Sequence, residues 1–98
     1  MRMHILICYD VETADAAGRR RLRKVAQACK AYGQRVQKSV FECQLTESQL
    51  QALKRRLLRI IDPNADSLRF YRLPNDRAQY VETYGRDTYV DFTLPLII

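Results

Sequence analysis

MHILICYDVETADAAGRRRLRKV, residues 3–25, is the stretch whose reading decides the fold. Its first part sets Met3, Ile5, Ile7 and Tyr9 on one face and Leu6 and Cys8 on the other, so both faces are apolar. A short run that is apolar on both faces reads as a central strand. The run ends at Tyr9-Asp10, and small and acidic residues from Val11 to Gly18 form a loop. From about Arg19 to Tyr32 the period changes. Leu22, Val25, Ala26, Cys29 and Tyr32 follow the i, i+3, i+4, i+7 spacing of an amphipathic helix. Arg19, Arg20, Arg23 and Lys30 fall outside that stripe, Arg21 borders it, and Gly33 is placed to close the helix with a left-handed turn.

Working outward, Arg35 to Leu45 is β-like, with Gln37-Lys38-Ser39 as a tight turn between a short strand and a longer one. Thr46 and Gln49 have the spacing of a capping box that opens a second helix. Leu50, Leu53, Leu57, Ile60 and Ile61 form its buried stripe, Arg55, Arg56 and Arg59 point elsewhere, and Asp62-Pro63-Asn64 stops it. Ser67 to Leu73 reads as a strand, Pro74 to Asp87 is polar, and Thr88 to Leu94 reads as a last strand. The expected class is α+β: a ferredoxin-like βαββαβ arrangement with an extra C-terminal strand. Residues 1–98 make one domain. Open sheet edges and an apolar tail, Leu94-Pro95-Leu96-Ile97-Ile98, predict a homodimer in which residues 88–98 pack on the partner subunit. The alternative is a tail folded back on its own subunit.

Composition narrows the function. Met3 to Cys8 is too short for the apolar region of a signal peptide, and no run approaches the roughly 20 apolar residues that span a bilayer. A cytoplasmic protein with no membrane partner is expected. Cys8, Cys29 and Cys43 have neither zinc-site nor disulfide-framework spacing and read as small core residues. A lone histidine, His4, excludes a multi-histidine metal site within one chain. The net charge of +6 points to an acidic partner, most often nucleic acid.

Two features carry chemistry. Asp10 is a hard oxygen ligand suited to Mg²⁺, and a two-fold axis that joins two copies would place one ion between subunits. There it would polarise a phosphodiester and activate water. Asp at a strand end is also an ordinary turn or capping residue. Tyr9 reads equally as a hydrogen-bond donor to a phosphate or as a residue of the sheet edge. The run Arg19-Arg20-Arg21-Leu22-Arg23-Lys24 is single-signed, and like charges at i, i+3 and i+4 repel. Lys54, Arg55, Arg56 and Arg59 repeat the theme on the second helix. Such density suits a polyanion bound through its phosphates, without sequence reading.

Tyr9-Asp10 ending the first strand, the basic run opening the next helix, "GQRVQKSVFEC" (33–43) and "SLRFYRL" (67–73) together resemble the small CRISPR-associated adaptation protein family. The likeness runs over nearly the whole chain, and the tail "VETYGRDTYVDFTLPLII" (81–98) is similar to one subgroup. The resemblance implies a homodimer that binds RNA or duplex DNA and partners a CRISPR integrase subunit. It implies a metal-binding and catalytic Asp10 beside a catalytic Tyr9, with Mg²⁺ as cofactor. It also implies nucleic-acid contacts from Arg19, Arg20, Arg21, Arg23 and Lys24, and from Ser39 and Phe41 in the Ser-Val-Phe-Glu segment. The activity implied is Mg²⁺-dependent endonuclease cleavage of single-stranded RNA or double-stranded DNA in spacer acquisition. A scaffold that bridges integrase subunits without cutting is the alternative, and a toxin-like messenger ribonuclease is a third fit to the basic helix.

Overall fold

Six elements follow one another as β1 (Met3–Asp10), α1 (Ala16–Lys30), β2 (Gly33–Gln37), β3 (Val40–Leu45), α2 (Glu47–Ile60) and β4 (Ser67–Leu73). They come from a computed structural model that describes residues 1–74, 77–86 and 88–90. The sheet order is β2-β3-β1-β4 with antiparallel pairing throughout. This is the expected α+β, ferredoxin-like arrangement, with β1 in the middle because both of its faces are apolar.

Alternation along β1 assigns the faces. Ile5, Ile7 and Tyr9 are buried with Val25, Ala28 and Cys29 of α1, Phe41, Cys43 and Leu45 of β3, and Leu50, Leu53 and Leu57 of α2. The helices therefore cover the odd-numbered face of β1, and Leu6, Cys8 and Asp10 belong to the opposite, helix-free face. Each wholly buried leucine in this layer contributes about 1.5–3 kcal/mol by removal from water.

Helix α1 starts at Ala16, ahead of the apolar stripe that located it in the sequence. Asp15 is its cap: the side chain accepts the Gly18 N–H at 2.8 Å, a bond that offsets one unpaired donor of the first turn. Gly18 is required for a different reason, because a β-carbon there would collide with the Glu12 carbonyl oxygen. The expected left-handed turn at Gly33 is corrected: the helix ends in right-handed backbone at Ala31, and Gly33 opens β2. Its missing side chain makes room for Cys43 on the neighbouring strand. Helix α2 opens on the full capping box, with Thr46 Oγ1 accepting from Gln49 N–H and Gln49 accepting from Thr46 N–H.

After β4 the chain crosses the helix-free face through a short 3-10 turn, Arg77–Gln79. Thr88 to Val90, the described start of the anticipated fifth strand, have no strand pairing. They run beside their own β2: the Thr88 hydroxyl donates to the Val36 carbonyl at 3.4 Å and Val90 N–H to the Gln34 side-chain oxygen at 2.9 Å. Residues 91–98, on which the partner-strand expectation chiefly rests, lie outside the described residues. Among the described residues, no helix is long and apolar enough to cross a membrane.

Candidate functional site

Asp10 is the last residue of β1 and is exposed. It faces Ser67 across the β1–β4 ladder and sits on the helix-free face, one pleat beyond Cys8 and Arg69. The Asp10 carboxylate has no hydrogen-bond or ion-pair partner among the described residues. Its acidic neighbours are all engaged. Glu12 accepts the Ala14 N–H at 2.9 Å, Asp15 caps α1, and Asp66 binds Arg21 at 2.8 Å. A free, hard carboxylate at a rigid strand end suits Mg²⁺, which uses one or two carboxylates and keeps its waters. No group of three or more His, Cys, Asp or Glu poised for a metal occurs among the described residues. By that chemistry, two Asp10 carboxylates would fit such an ion better than one.

Tyr9 points the other way. It is 5% exposed, stacks on Phe41 with ring centroids 6.2 Å apart, and its hydroxyl donates to the Lys38 carbonyl at 3.3 Å. Burial pushes its phenol above the ordinary value, with the nearby Arg35 opposing. Successive side chains of a strand face opposite sides, so Tyr9 packs in the core while Asp10 is at the surface. Phe41 is likewise 0% exposed, with Arg35 over its ring at 5.2 Å, and packs in the core. Ser39 is half-buried in the β2–β3 turn, where its carbonyl accepts the Tyr9 N–H at 3.1 Å.

The basic run divides. Arg19, Arg20, Arg23 and Lys24 are exposed on the outer face of α1. Arg21 is turned inward and is committed to Asp66, whose side chain is 0% exposed. The Asp66 carboxylate also accepts the Glu12 N–H at 3.0 Å and the Asp62 N–H at 2.8 Å. Arg21, with help from those amides, holds the Asp66 carboxyl below the usual carboxylate range. This pair is a clamp that ties the loop after Asp10, the first turns of α1 and the α2–β4 turn together.

A second cluster lies on the helix-free face. Glu42 of β3, 7% exposed, forms a two-bond ion pair with Arg77, one bond at 2.9 Å. Arg77 lies 3.7 Å over the Tyr89 ring, and the Tyr89 hydroxyl accepts from Gln44 at 3.1 Å. These contacts fasten residues 77–86 and 88–90 over β2 and β3 and leave Cys8, Asp10, Arg69 and Tyr71 of β1 and β4 on the part of that face they do not reach. The cysteines offer no nucleophile: burial pushes Cys29 up to about 11 and Cys43 up to about 12. Sequence reading missed Asp66, Glu42 and Arg77. The one usable signal was Glu42, a charge inside an apolar strand, which demands a buried partner.

A family profile described as CRISPR associated protein Cas2 matches residues 3–81. The chain belongs to the Cas2 family. A Moorella thermoacetica relative named CRISPR-associated endoribonuclease Cas2 1 is 55% identical over 96 residues, covering 98% of this chain and 100% of its own. The crystal structure of Streptococcus pyogenes Cas2 at pH 6.5 is 52% identical with a TM-score of 0.77, covering 85% of this chain and all of that one. A chain of a partial Cas6-RT-Cas1–Cas2 complex is 28% identical with a TM-score of 0.67, covering 98% and 97%. The Cas2 likeness therefore spans both the β1 tip with Asp10 and the basic first helix.

Proposed function

We propose that this Cas2-family chain acts in CRISPR adaptation as a homodimeric, Mg²⁺-dependent endonuclease on single-stranded RNA or double-stranded DNA. The carrying observation is the free, exposed Asp10 carboxylate at the tip of β1, on the part of the helix-free face that residues 77–86 and 88–90 do not reach. Packing two such faces about a two-fold axis brings two Asp10 side chains together, and those two residues would hold the ion. When bound, Mg²⁺ supplies positive charge to a phosphodiester and lowers the pKa of a coordinated water.

The chain's own residues do the rest. The Asp66–Arg21 clamp holds the backbone after Asp10 through the Glu12 N–H. Arg19, Arg20, Arg23 and Lys24 bind phosphates and bring the backbone to the protein without reading bases. The likeness to a chain of a Cas1–Cas2 assembly supports an integrase subunit as partner.

A scaffold reading draws on a specific observation, that among the described residues the Asp10 carboxylate has no acidic partner for a metal while the helices carry an extensive basic surface. In that reading the dimer holds duplex DNA and bridges integrase subunits, and Asp10 ends a strand. Sedimentation with and without Mg²⁺, together with cleavage of labelled RNA and duplex DNA, tests the two readings. Cutting that EDTA abolishes supports the nuclease; salt-sensitive binding by a dimer that never cuts supports the scaffold.

A further inference from the structure

The second helix carries a basic surface that the site at Asp10 does not use. Arg55, Arg56 and Arg59 are exposed and form no ion pair among the described residues. The acidic residue of α2 is Glu47, at the far end of the helix, and Arg72 occupies it at 2.8 Å. Helix α1 contains no acidic residue. Two neighbouring helices thus present arginine and lysine outward with no carboxylate to balance them.

Their relative placement is fixed by the fold. Asp66, just past α2, binds Arg21 in the first turns of α1, so the basic start of α1 lies beside the basic end of α2. Arg56, about a quarter turn from the Leu50, Leu53 and Leu57 stripe, lies on a flank of α2. Around α2, the buried Leu50, Leu53 and Leu57 define the inner face, and at 3.6 residues per turn Arg55 and Arg59 fall on the outer one. Packed helices stand about 8–10 Å apart. The cations are therefore spread over two parallel ridges instead of converging on one point. Neither helix carries an aromatic side chain with which to stack a base.

We propose that the outer surface of the α1–α2 pair is a single backbone-tracking face for duplex nucleic acid, to which α2 contributes Arg55, Arg56 and Arg59 as phosphate contacts alongside Arg20 and Lys24. A dispersed, unpaired, single-signed surface matches the even negative charge of a duplex, and its binding is independent of sequence. The choice of ligand class rests on the nucleic-acid reading above; the assignment of α2 does not depend on cleavage.

The test measures binding of a labelled random-sequence DNA duplex by fluorescence anisotropy over a salt series. It compares wild type, Arg55→Gln/Arg56→Gln/Arg59→Gln, the same three positions changed to Lys, and Arg20→Gln/Arg23→Gln/Lys24→Gln. The expected result is that the α2 Gln variant lowers the slope of log K against log salt by about 2–3. The Lys variant should keep the wild-type slope, and the thermal midpoint should stay unchanged because these side chains are exposed. A wild-type slope in the α2 Gln variant, with the slope lost only in the α1 variant, overturns the assignment of α2. Loss of integrase-subunit capture with duplex binding intact assigns the face to an acidic protein surface and overturns it too. A wild-type protein that binds no duplex at any salt removes the nucleic-acid reading itself.

Discussion

The Asp66 carboxylate, fully enclosed, receives the Arg21 guanidinium at 2.8 Å and through it joins three segments distant in sequence. Removing Arg21 leaves Asp66 with the Glu12 and Asp62 amides. Removing Asp66 leaves Arg21 and both amides unpaired. The two deletions should therefore be unequal. Asp66→Ala is expected to lower the urea midpoint more than Arg21→Ala does. Duplex binding by Arg21→Ala should stay near wild type, since its charge already has a partner.

The same carboxyl makes stability fall in acid. A group whose folded pKa lies below its unfolded one adds stability above the unfolded value and loses it as pH falls through the folded one. Asp66 is such a group, lowered first by Arg21. Glu47, drawn to about 2 by Arg72 and Gln51, has the same sign, but it is exposed and its contribution is screened. The stability gap between wild type and Asp66→Asn should be full above about pH 4 and close below it, as urea midpoints at several pH values would record. A gap that persists unchanged at low pH contradicts the clamp.

Tyr9→Phe should retain any cleavage and lose about 1 kcal/mol with its hydroxyl bond to Lys38. Phe41→Ala should cost about 3–5 kcal/mol as a core deletion. Activity per folded molecule separates these outcomes from direct roles: a Tyr9→Phe protein that folds but no longer cuts restores a catalytic role to Tyr9.

The alternation of β1, the α1 stripe and the Thr46-Gln49 capping box were legible because each is a local pattern with a physical period. The roles of Tyr9 and Phe41 were not, because family likeness marks positions without marking the face on which a side chain lies. Asp10 and Tyr9 are adjacent in sequence, and the period of two that defines a strand sends them to opposite sides of the sheet. The pairing of Arg21 was hidden for a related reason. At the border of a helical stripe, an arginine faces solvent or a buried acid, and that acid, Asp66, stands 45 residues away in the chain. The Asp15 cap was hidden among several small and acidic residues that all suit a helix start.

The strap over β2 and β3 gives a further expectation. Arg77→Ala removes the partner of the nearly buried Glu42 and the cation over Tyr89. Limited proteolysis or hydrogen exchange should show residues 77–90 released while β1 and β3 stay protected. Equal protection in variant and wild type would mean that the strap is held by other contacts.

The central claim is that Asp10 is a metal-binding catalytic carboxylate. The most direct measurement compares wild type and Asp10→Ala for cleavage of labelled single-stranded RNA and duplex DNA, with Mg²⁺ or EDTA, while binding of both proteins to the same duplex is recorded. The predicted result is cutting by wild type that disappears in Asp10→Ala and in EDTA, with salt-sensitive binding intact in both proteins. Undiminished Mg²⁺-dependent cutting by Asp10→Ala, or binding by both proteins with cutting by neither, would contradict it.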